Sequence, residues 1–249
     1  MSELGFLDAV SRQAQSADDV SHRPWPLPDG SWAQAQTWED VLFAHWPVDL
    51  EELARLLPAD LPVDTHEGRA WLGIVPVRVT GLRLRGLPPV PGLSSALQLA
   101  VRTYVSLDDR PGIWLFSLDS TGPLLVEAAK RAHRLPAYRA KIAMNSAGGA
   151  VRFGAVRDGL EFTAGYEAHG PEVAAAPGTL EHFLVERYAL YTSDGGRLYR
   201  ADIHHRPWQL RAAEATVQAA TIAPVALDGS PRLVAAARQD LLVWPLEEL

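Results

Sequence analysis

The sequence predicts a mostly β protein of the α+β class, with a large, antiparallel, barrel-like sheet and a few short helices. Long strands are indicated over residues 70–84 and 97–107, where alternate side chains would point to opposite faces. Later in the chain, short alternating segments separated by glycine indicate antiparallel hairpins. These segments are residues 138–146, 149–159 and 160–170, and "SDGG" (193–196) predicts a further tight turn.

Helix signals are few and short. The spacing predicts helices over Leu4–Gln15 and over residues 123–135. Asp49, followed three residues later by Glu52, is typical of a capping box, and Thr179 predicts another helix start. The alanine-rich stretch 212–220 predicts a last short helix.

Proline spacing divides the chain into an arm and one domain. Prolines 24, 26 and 28 exclude a helix interior or central strand there, so residues 1–36 are interpreted as an N-terminal arm lying on the body. Trp25 and Trp32 are its predicted anchors. Residues 37–249 form a single predicted β domain, a length that is ordinary for one barrel-like unit.

Composition excludes several classes of function. A net charge of −7 argues against a nucleic-acid partner, which usually requires clustered basic residues. No apolar run is long enough to cross a membrane, and the acidic N-terminus does not resemble a secretory signal, so we expect a cytoplasmic protein. The absence of cysteine removes thiolate chemistry and cysteine-ligated metals. No cofactor is indicated.

Amine chemistry is restricted to very few groups. Of the 23 basic residues other than histidine, only Lys130 and Lys141 are lysines. Arginine stays protonated and does not form a Schiff base under ordinary conditions. An amine nucleophile would therefore be one of these two lysines or the N-terminus.

The segment "YRADIHHRPWQL", residues 199–210, is the most chemically dense part of the sequence. In a strand, adjacent histidines point to opposite faces, so His204 and His205 are a poor pair for one metal ion, and no metal site is predicted. Arg200, Asp202, His204 and Arg206 would share one face. That face could be solvated, or it could line the interior of a barrel and bind a ligand. The same alternatives apply to Arg102 and Tyr104 on their strand.

Five separated motifs carry a family resemblance. They are residues 38–79, "LAVRTYV" (99–105), "ERYALY" (186–191), "IHHRPWQL" (203–210) and "DLLVWPLE" (240–247). In this order they resemble the YqjF-like family of bacterial proteins, a domain of unknown function within the acetoacetate decarboxylase-like superfamily. The resemblance covers the chain from about Thr37 onward. It implies an acetoacetate decarboxylase-like fold that encloses a pocket, and homo-oligomers, which that branch forms.

The decarboxylase nucleophile is missing at the matching place. In acetoacetate decarboxylase a lysine pair directly follows a proline and forms the Schiff base, whereas here Pro136 is followed by Ala137 and Tyr138. Lys141 lies four residues later and is retained as a candidate nucleophile, although a surface lysine is the simpler interpretation. Decarboxylase activity is therefore not transferred.

What the resemblance implies is a pocket for a small organic acid or carbonyl compound. If the protein is an enzyme acting on a keto acid or enol, His204 would be the acid or base. Arg102, Tyr104 and Arg206 would line the pocket with Asp202 and Arg200, and an arginine would hold the carboxylate. The alternatives are a non-catalytic binding or sensing protein on the same scaffold, and an interaction protein using its proline-rich loop and N-terminal arm.

Overall fold

Alternating apolar and polar residues build most of this chain into strands. A computed structural model describes residues 3–90 and 92–249. Within these residues the strands are β1 (Gln34–Val48), β2 (Ala70–Leu84), β3 (Ala96–Leu107), β4 (Arg110–Ser120), β5 (Ala137–Arg139), β6 (Lys141–Ala147), β7 (Ala150–Arg157), β8 (Leu160–Ala174), β9 (Ala189–Asp194), β10 (Arg197–His204), β11 (Gln209–Ala220), β12 (Arg232–Val243) and β13 (Glu247–Glu248). The prediction of a mostly β fold is confirmed.

Seven strands close into a ring. Neighbouring strands pair in the order β10, β9, β4, β3, β2, β1, β12. Pairing of Ile203 with Val243 and of His204 with Leu242 then joins β10 to β12. The β4–β9 and β4–β5 pairs are parallel, and the other pairs are antiparallel. Alternate side chains of the ring strands therefore point into one shared interior.

A second layer covers one side of the ring. From β12 the sheet continues through β11, β8, β7 and β6. Phe153 and Phe162 of this extension pack in one apolar cluster with Leu42, Ile74 and Val101 from the ring strands. A separate cluster fills part of the ring interior. The ring thus has an inner core and an outer core on opposite faces of the same strands.

The helices in the described residues are short and cap the sheet. They are α1 (Glu3–Gln15), α2 (Leu50–Ala54), α3 (Pro123–His133) and α4 (Leu180–Val185), with a 3-10 turn over Ser16–Asp18. The predicted caps are confirmed, because Asp49 accepts from the Glu52 amide at 2.8 Å and Thr179 from the His182 amide at 3.3 Å. No described helix has the length and apolarity needed to cross a bilayer.

The predicted helix over residues 212–220 is wrong, because this stretch is part of β11. Ala213, Ala215 and Val217 are partly buried against the outer core, while Glu214 and Thr216 between them are exposed. Pairing with β8 along nearly the whole strand satisfies the backbone. The two-residue alternation and this pairing outweigh the helix propensity of alanine.

Candidate functional site

The ring interior contains a cavity of about 130 Å³. Inward side chains of the ring strands, one face of α3 and the residues after α4 line it. Most of this lining is apolar, and its polar members are Gln34, Gln36, Gln98, Arg102, His133, Arg187 and His205, together with the indole of Trp38. A cavity of this size holds a molecule about as large as benzene. A mostly apolar enclosure with few polar groups is typical of small-molecule sites.

Arg102 is the distinctive polar group of the cavity. It lies on β3, is only 5% exposed, and its Nη2 donates to the Leu184 carbonyl at 3.0 Å. Its guanidinium carbon lies 5.4 Å from the centre of the Phe43 ring. Among the described residues, no carboxylate lies within ion-pair distance, and Nε makes no hydrogen bond. Within the part of the chain that the structure describes, Arg102 is a buried cation without a counter-ion, which is a costly arrangement for a protein to retain.

Arg187 lines the same cavity, but its charge is compensated by a neighbouring carboxylate. Its Nη1 donates to Asp64 at 2.5 Å, and its Nε donates to the Phe183 carbonyl at 2.6 Å. Burial lowers the pKa of Arg187, and the Asp64 carboxylate opposes that shift. The lining of the cavity thus includes two guanidinium groups, of which Arg187 is paired with Asp64 behind the wall, and no carboxylate among the described residues. The unpaired guanidinium favours an anion.

Two further cavity-lining residues carry polar atoms without partners. The Trp38 indole nitrogen and the His133 Nδ1 are buried and make no hydrogen bond within the described part of the chain. His133 Nε2 lies 3.3 Å from the Gln34 amide oxygen, which fastens α3 to β1. Buried polar atoms are rarely left unpaired, because each costs about 1–3 kcal/mol. An indole N–H and the Arg102 Nε–H are both donors, and both suit an acceptor-rich ligand.

His205 brings an imidazole to the cavity from β10's end. Its Nδ1 lies 2.8 Å from the Arg206 carbonyl and its Nε2 lies 3.4 Å from that of Arg187. Burial lowers the pKa of His205 despite Glu186, whose carboxylate is 3.8 Å from Nδ1. The ring is thus neutral at neutral pH, and the shorter contact favours hydrogen on Nδ1. That tautomer leaves Nε2 as a potential base.

Glu186 is held rigidly behind His205. It accepts from the Tyr188 hydroxyl at 2.6 Å and from the Trp208 amide at 2.8 Å. The Tyr188 ring stacks on the His205 ring with centroids 4.7 Å apart. The motifs "ERYALY" and "IHHRPWQL" therefore meet in space, and together they orient one imidazole.

Tyr104 and His45 form a buried pair next to the arginines. The Tyr104 hydroxyl and the His45 Nε2 are 2.5 Å apart, and both residues are fully buried. The Arg187 and Arg102 guanidinium carbons lie 5.0 Å and 5.7 Å from the Tyr104 ring centre. Burial, assisted by Arg102, holds the pKa of His45 well below its ordinary value, and burial raises that of Tyr104. Both groups are therefore neutral at neutral pH.

The charged face of β10 does not line the cavity; it is covered by the segment that precedes β1. Asp202 accepts from the Trp25 indole at 2.7 Å and from Arg23 at 3.2 Å. The His204 Nε2 lies 2.7 Å from the Ser16 carbonyl, and burial lowers the pKa of His204 to about 4. His204, the candidate acid or base, is therefore separated from the cavity by its own strand.

The remaining predicted site residues also lie elsewhere. Arg200 pairs with Glu247 at 3.2 Å, and Arg206 is exposed and donates to the Gln15 carbonyl at 3.1 Å. Lys141 and Lys130 are exposed, on β6 and α3, and neither lines the cavity. Of the predicted residues, Arg102 lines the cavity and Tyr104 lies beside it without being part of the lining. Asp202 and His204 stay together through Arg23, on the opposite face of β10.

Of the cavity-lining residues, sequence reasoning missed His205 and Arg187. The alternation that placed His204 on one face of β10 placed His205 on the other, so the signal for His205 was present. Arg187 follows α4 in an irregular segment, where no periodicity predicts a direction. Among the described side chains, no group of three His, Asp or Glu residues is arranged to hold a metal ion.

Comparison with known proteins assigns the chain to a family. A family model described as "Uncharacterized conserved protein (COG2071)", DUF2071, matches residues 35–242. The chain belongs to the DUF2071 family. This member is 40% identical over 229 residues to the uncharacterized protein YqjF of Bacillus subtilis (strain 168), covering 89% of this chain and 95% of that one. The predicted family is confirmed.

Solved structures similar to this DUF2071 protein share its fold at low identity. An acetoacetate decarboxylase-like enzyme from Sphingomonas wittichii RW1 has a TM-score of 0.63 and 15% identity, with 92% of this chain and 98% of that one covered. Acetoacetate decarboxylase from Legionella pneumophila has a TM-score of 0.66 and 12% identity, covering 92% and 93%. The enduracididine biosynthesis enzyme MppR complexed with pyruvate has a TM-score of 0.62 and 10% identity, covering 88% and 91%. The predicted acetoacetate decarboxylase-like fold is confirmed.

Proposed function

We propose that this DUF2071 protein binds a small organic acid non-covalently inside the strand ring, with the carboxylate on Arg102. The observation that carries this proposal is the buried Arg102 guanidinium, which has no carboxylate partner among the described residues and an Nε–H without an acceptor. A bound carboxylate would supply both the missing charge and the missing acceptor. Pyruvate bound by MppR, a protein of the same fold, is consistent with a ligand of this class.

The apolar walls limit the rest of the ligand. Ile113, Leu115, Leu190 and Ile203 line the cavity around the polar groups. A second charge on the ligand would have no buried partner there, because Arg187 is already paired with Asp64. We therefore expect monoanionic acids with a short apolar chain or a small ring, such as 2-oxobutyrate or benzoate, to bind better than dicarboxylates.

A panel of short acids, tested by calorimetry and thermal denaturation, examines this proposal. At a hundredfold excess over its Kd, a ligand stabilises the folded protein by about 2.7 kcal/mol, which raises Tm by roughly 5–10 °C at this chain length. We expect this shift with 2-oxobutyrate, pyruvate or benzoate in the wild type, and its loss in Arg102→Gln. Arg197→Gln is the matched control, because Arg197 is exposed and pairs with Glu248. Equal binding by Arg102→Gln would contradict the proposal.

Non-covalent binding can be distinguished by experiment from Schiff-base formation, which requires a lysine that reaches the ligand. Both lysines are exposed and neither lines the cavity. Borohydride treatment in the presence of each keto acid, followed by intact-mass measurement, is expected to give no reduced adduct. An adduct that disappears in Lys141→Ala would instead establish Lys141 as a nucleophile.

A second candidate function is enolisation of the bound acid, with His205 as the base. It is favoured by the neutral His205 ring on the cavity wall, with Glu186 behind it and with Nε2, which lies 3.4 Å from the Arg187 carbonyl, as the unprotonated nitrogen. In D₂O, the methyl protons of pyruvate would exchange faster with wild-type protein than with His205→Gln, as followed by proton NMR. Equal exchange rates, with pyruvate bound to both proteins, would leave a binding function without this chemistry.

A further inference from the structure

A second recess, outside the ring cavity, has among its lining residues a buried polar group without a partner in the described residues. This groove has a volume of about 650 Å³ and lies between the end of β8, α4 and the strands β11 and β12. None of its lining residues lines the ring cavity. The walls are mostly small and apolar: Val173, Ala174, Ala175, Ala176, Leu184, Leu210, Ala212, Ala213, Leu233 and Val234.

His45 is the buried polar member of the groove lining. Its side chain is fully buried, and its Nδ1 makes no hydrogen bond to any described residue. The other charged or titratable side chains of the lining are more exposed: Glu181, Arg232, Arg211 and His169. Arg232 pairs with Glu181 at 3.1 Å, and Arg211 Nε donates to the Gly170 carbonyl at 3.0 Å. The unpaired polar atom therefore belongs to the most buried of these polar lining residues, His45.

The Tyr104 hydroxyl determines which nitrogen of His45 carries the proton. A neutral tyrosine needs an acceptor for its hydrogen, and the guanidinium groups of Arg102 and Arg187 beside it are donors only. His45 Nε2, at 2.5 Å, is the acceptor. Nε2 is then unprotonated, so the hydrogen of the neutral ring is on Nδ1, and the unpaired atom is a donor.

The backbone provides the space for this pair. Gly73 on β2 has no positive φ, so its backbone conformation does not require glycine. A Cβ there would lie 2.9 Å from Cδ2 of His45 and 3.3 Å from the Tyr104 hydroxyl. Contacts this short force a side chain to move. Glycine at this position therefore preserves the geometry of the His45–Tyr104 pair.

We propose that the groove is a second ligand site, for a small carbonyl compound whose oxygen accepts a hydrogen bond from His45 Nδ1. A neutral imidazole N–H donor suits a carbonyl oxygen, which accepts hydrogen bonds and carries no charge. The small apolar side chains suit a compact apolar body. The groove site does not require an acid in the ring cavity, and so the proposal is independent of the function proposed above.

The first test is the tautomer of His45 in the wild-type protein. Nitrogen-15 NMR of histidine side chains distinguishes a protonated Nδ1 from a protonated Nε2. We expect hydrogen on Nδ1, and addition of acetophenone or cyclohexanone to shift this resonance. Hydrogen on Nε2, or no shift with either ketone, would overturn the proposal without the need for any variant.

The second test compares two variants against two ligand classes. His45→Phe is expected to bind acetophenone about tenfold more weakly, the loss of one buried hydrogen bond, while keeping the response to 2-oxobutyrate. Arg102→Gln should show the reverse preference. The carbonyl stretch of bound acetophenone, read by infrared spectroscopy, should lie lower in wild type than in His45→Phe. Unchanged ketone affinity in His45→Phe would contradict the groove proposal, because any ketone site would then lie elsewhere. Failure of the wild-type protein to bind acids, with ketone binding intact, would count only against the ring-cavity function.

Discussion

Arg102 and Arg187 line the same cavity, yet they are stabilised in opposite ways. Arg187 is fixed by Asp64 and by the Phe183 carbonyl, whereas Arg102 donates to the Leu184 carbonyl and has no carboxylate partner among the described residues. A paired buried cation is part of the structure, because removing one partner leaves the other uncompensated. An unpaired buried cation contributes little to the stability of the folded protein. A bound anionic ligand would explain why such a residue is present. This difference is the reason why the proposed function assigns ligand binding to Arg102 and not to Arg187.

The largest expected effect comes from breaking the compensated pair. Arg187→Met leaves Asp64 without its cation and is expected to lower the free energy of unfolding by about 3–5 kcal/mol. Urea denaturation followed by circular dichroism measures this change. The double variant Arg187→Met with Asp64→Leu should recover part of the loss, and no recovery would indicate that Arg187 acts through packing alone.

The next largest effect comes from the buried histidines. Unlike the arginines, they change protonation state between about pH 4 and 7. The pKa of His204 is lowered from 6.5 to about 4 by burial. Between these two pH values the unfolded chain therefore binds a proton at His204 that the folded protein does not bind. Stability should therefore be complete above pH 6.5 and should decline toward pH 4, by on the order of 2–3 kcal/mol from this residue. His45, His133 and His205, whose pKa values are also lowered, act in the same direction.

Denaturation midpoints across this pH range measure the decline. His204→Gln, which can still donate to the Ser16 carbonyl, should flatten the curve. His169→Gln, at an exposed position, should leave it unchanged. A pH profile equally steep in both variants would show that His204 is not excluded from protonation.

A smaller effect is expected from removing the uncompensated cation. Arg102→Met loses one hydrogen bond but also relieves an unpaired buried charge, so the unliganded protein should change by about 1 kcal/mol or less, or become more stable. The same denaturation measurement applies, without ligand. A loss comparable to that of Arg187→Met would mean that Arg102 is structural, and the comparison between the two arginines would fail.

The smallest effect is expected at Lys141, an exposed cation on β6 that does not line the cavity. Lys141→Ala should change stability by less than about 0.5 kcal/mol and leave acid binding intact. Calorimetry with 2-oxobutyrate provides the measurement. Weaker binding would restore Lys141 as a site residue.

The sequence predicted the strands, several caps and the fold family, because these depend on local alternation, turn residues and motif order. Alternation left open whether the face that carries Arg102 is interior, and only the family resemblance implied that Arg102 lines a pocket. The sequence also could not decide which face of β10 is interior, since the charged residues on one face and Ile203 and His205 on the other satisfy the same two-residue period. The segment that precedes β1 covers Asp202 and His204, so their face of β10 lies outside the cavity. These contacts join residues that are far apart in the sequence, and local patterns do not predict them. Asp64 and Arg187 likewise meet only through the tertiary fold.

The closure of the ring has a kinetic consequence. β10 and β12 share only two residue pairs, Ile203 with Val243 and His204 with Leu242, and both Ile203 and Val243 line the cavity. Arg23 donates to the Ile203 carbonyl at 2.7 Å from the outside. Amide protons along this short junction should therefore exchange with solvent sooner than those of β1 and β12, which pair along most of their length. Opening of this junction would expose the cavity lining at Ile203 and Val243 to solvent, and Arg23 opposes that opening through its bond to the Ile203 carbonyl.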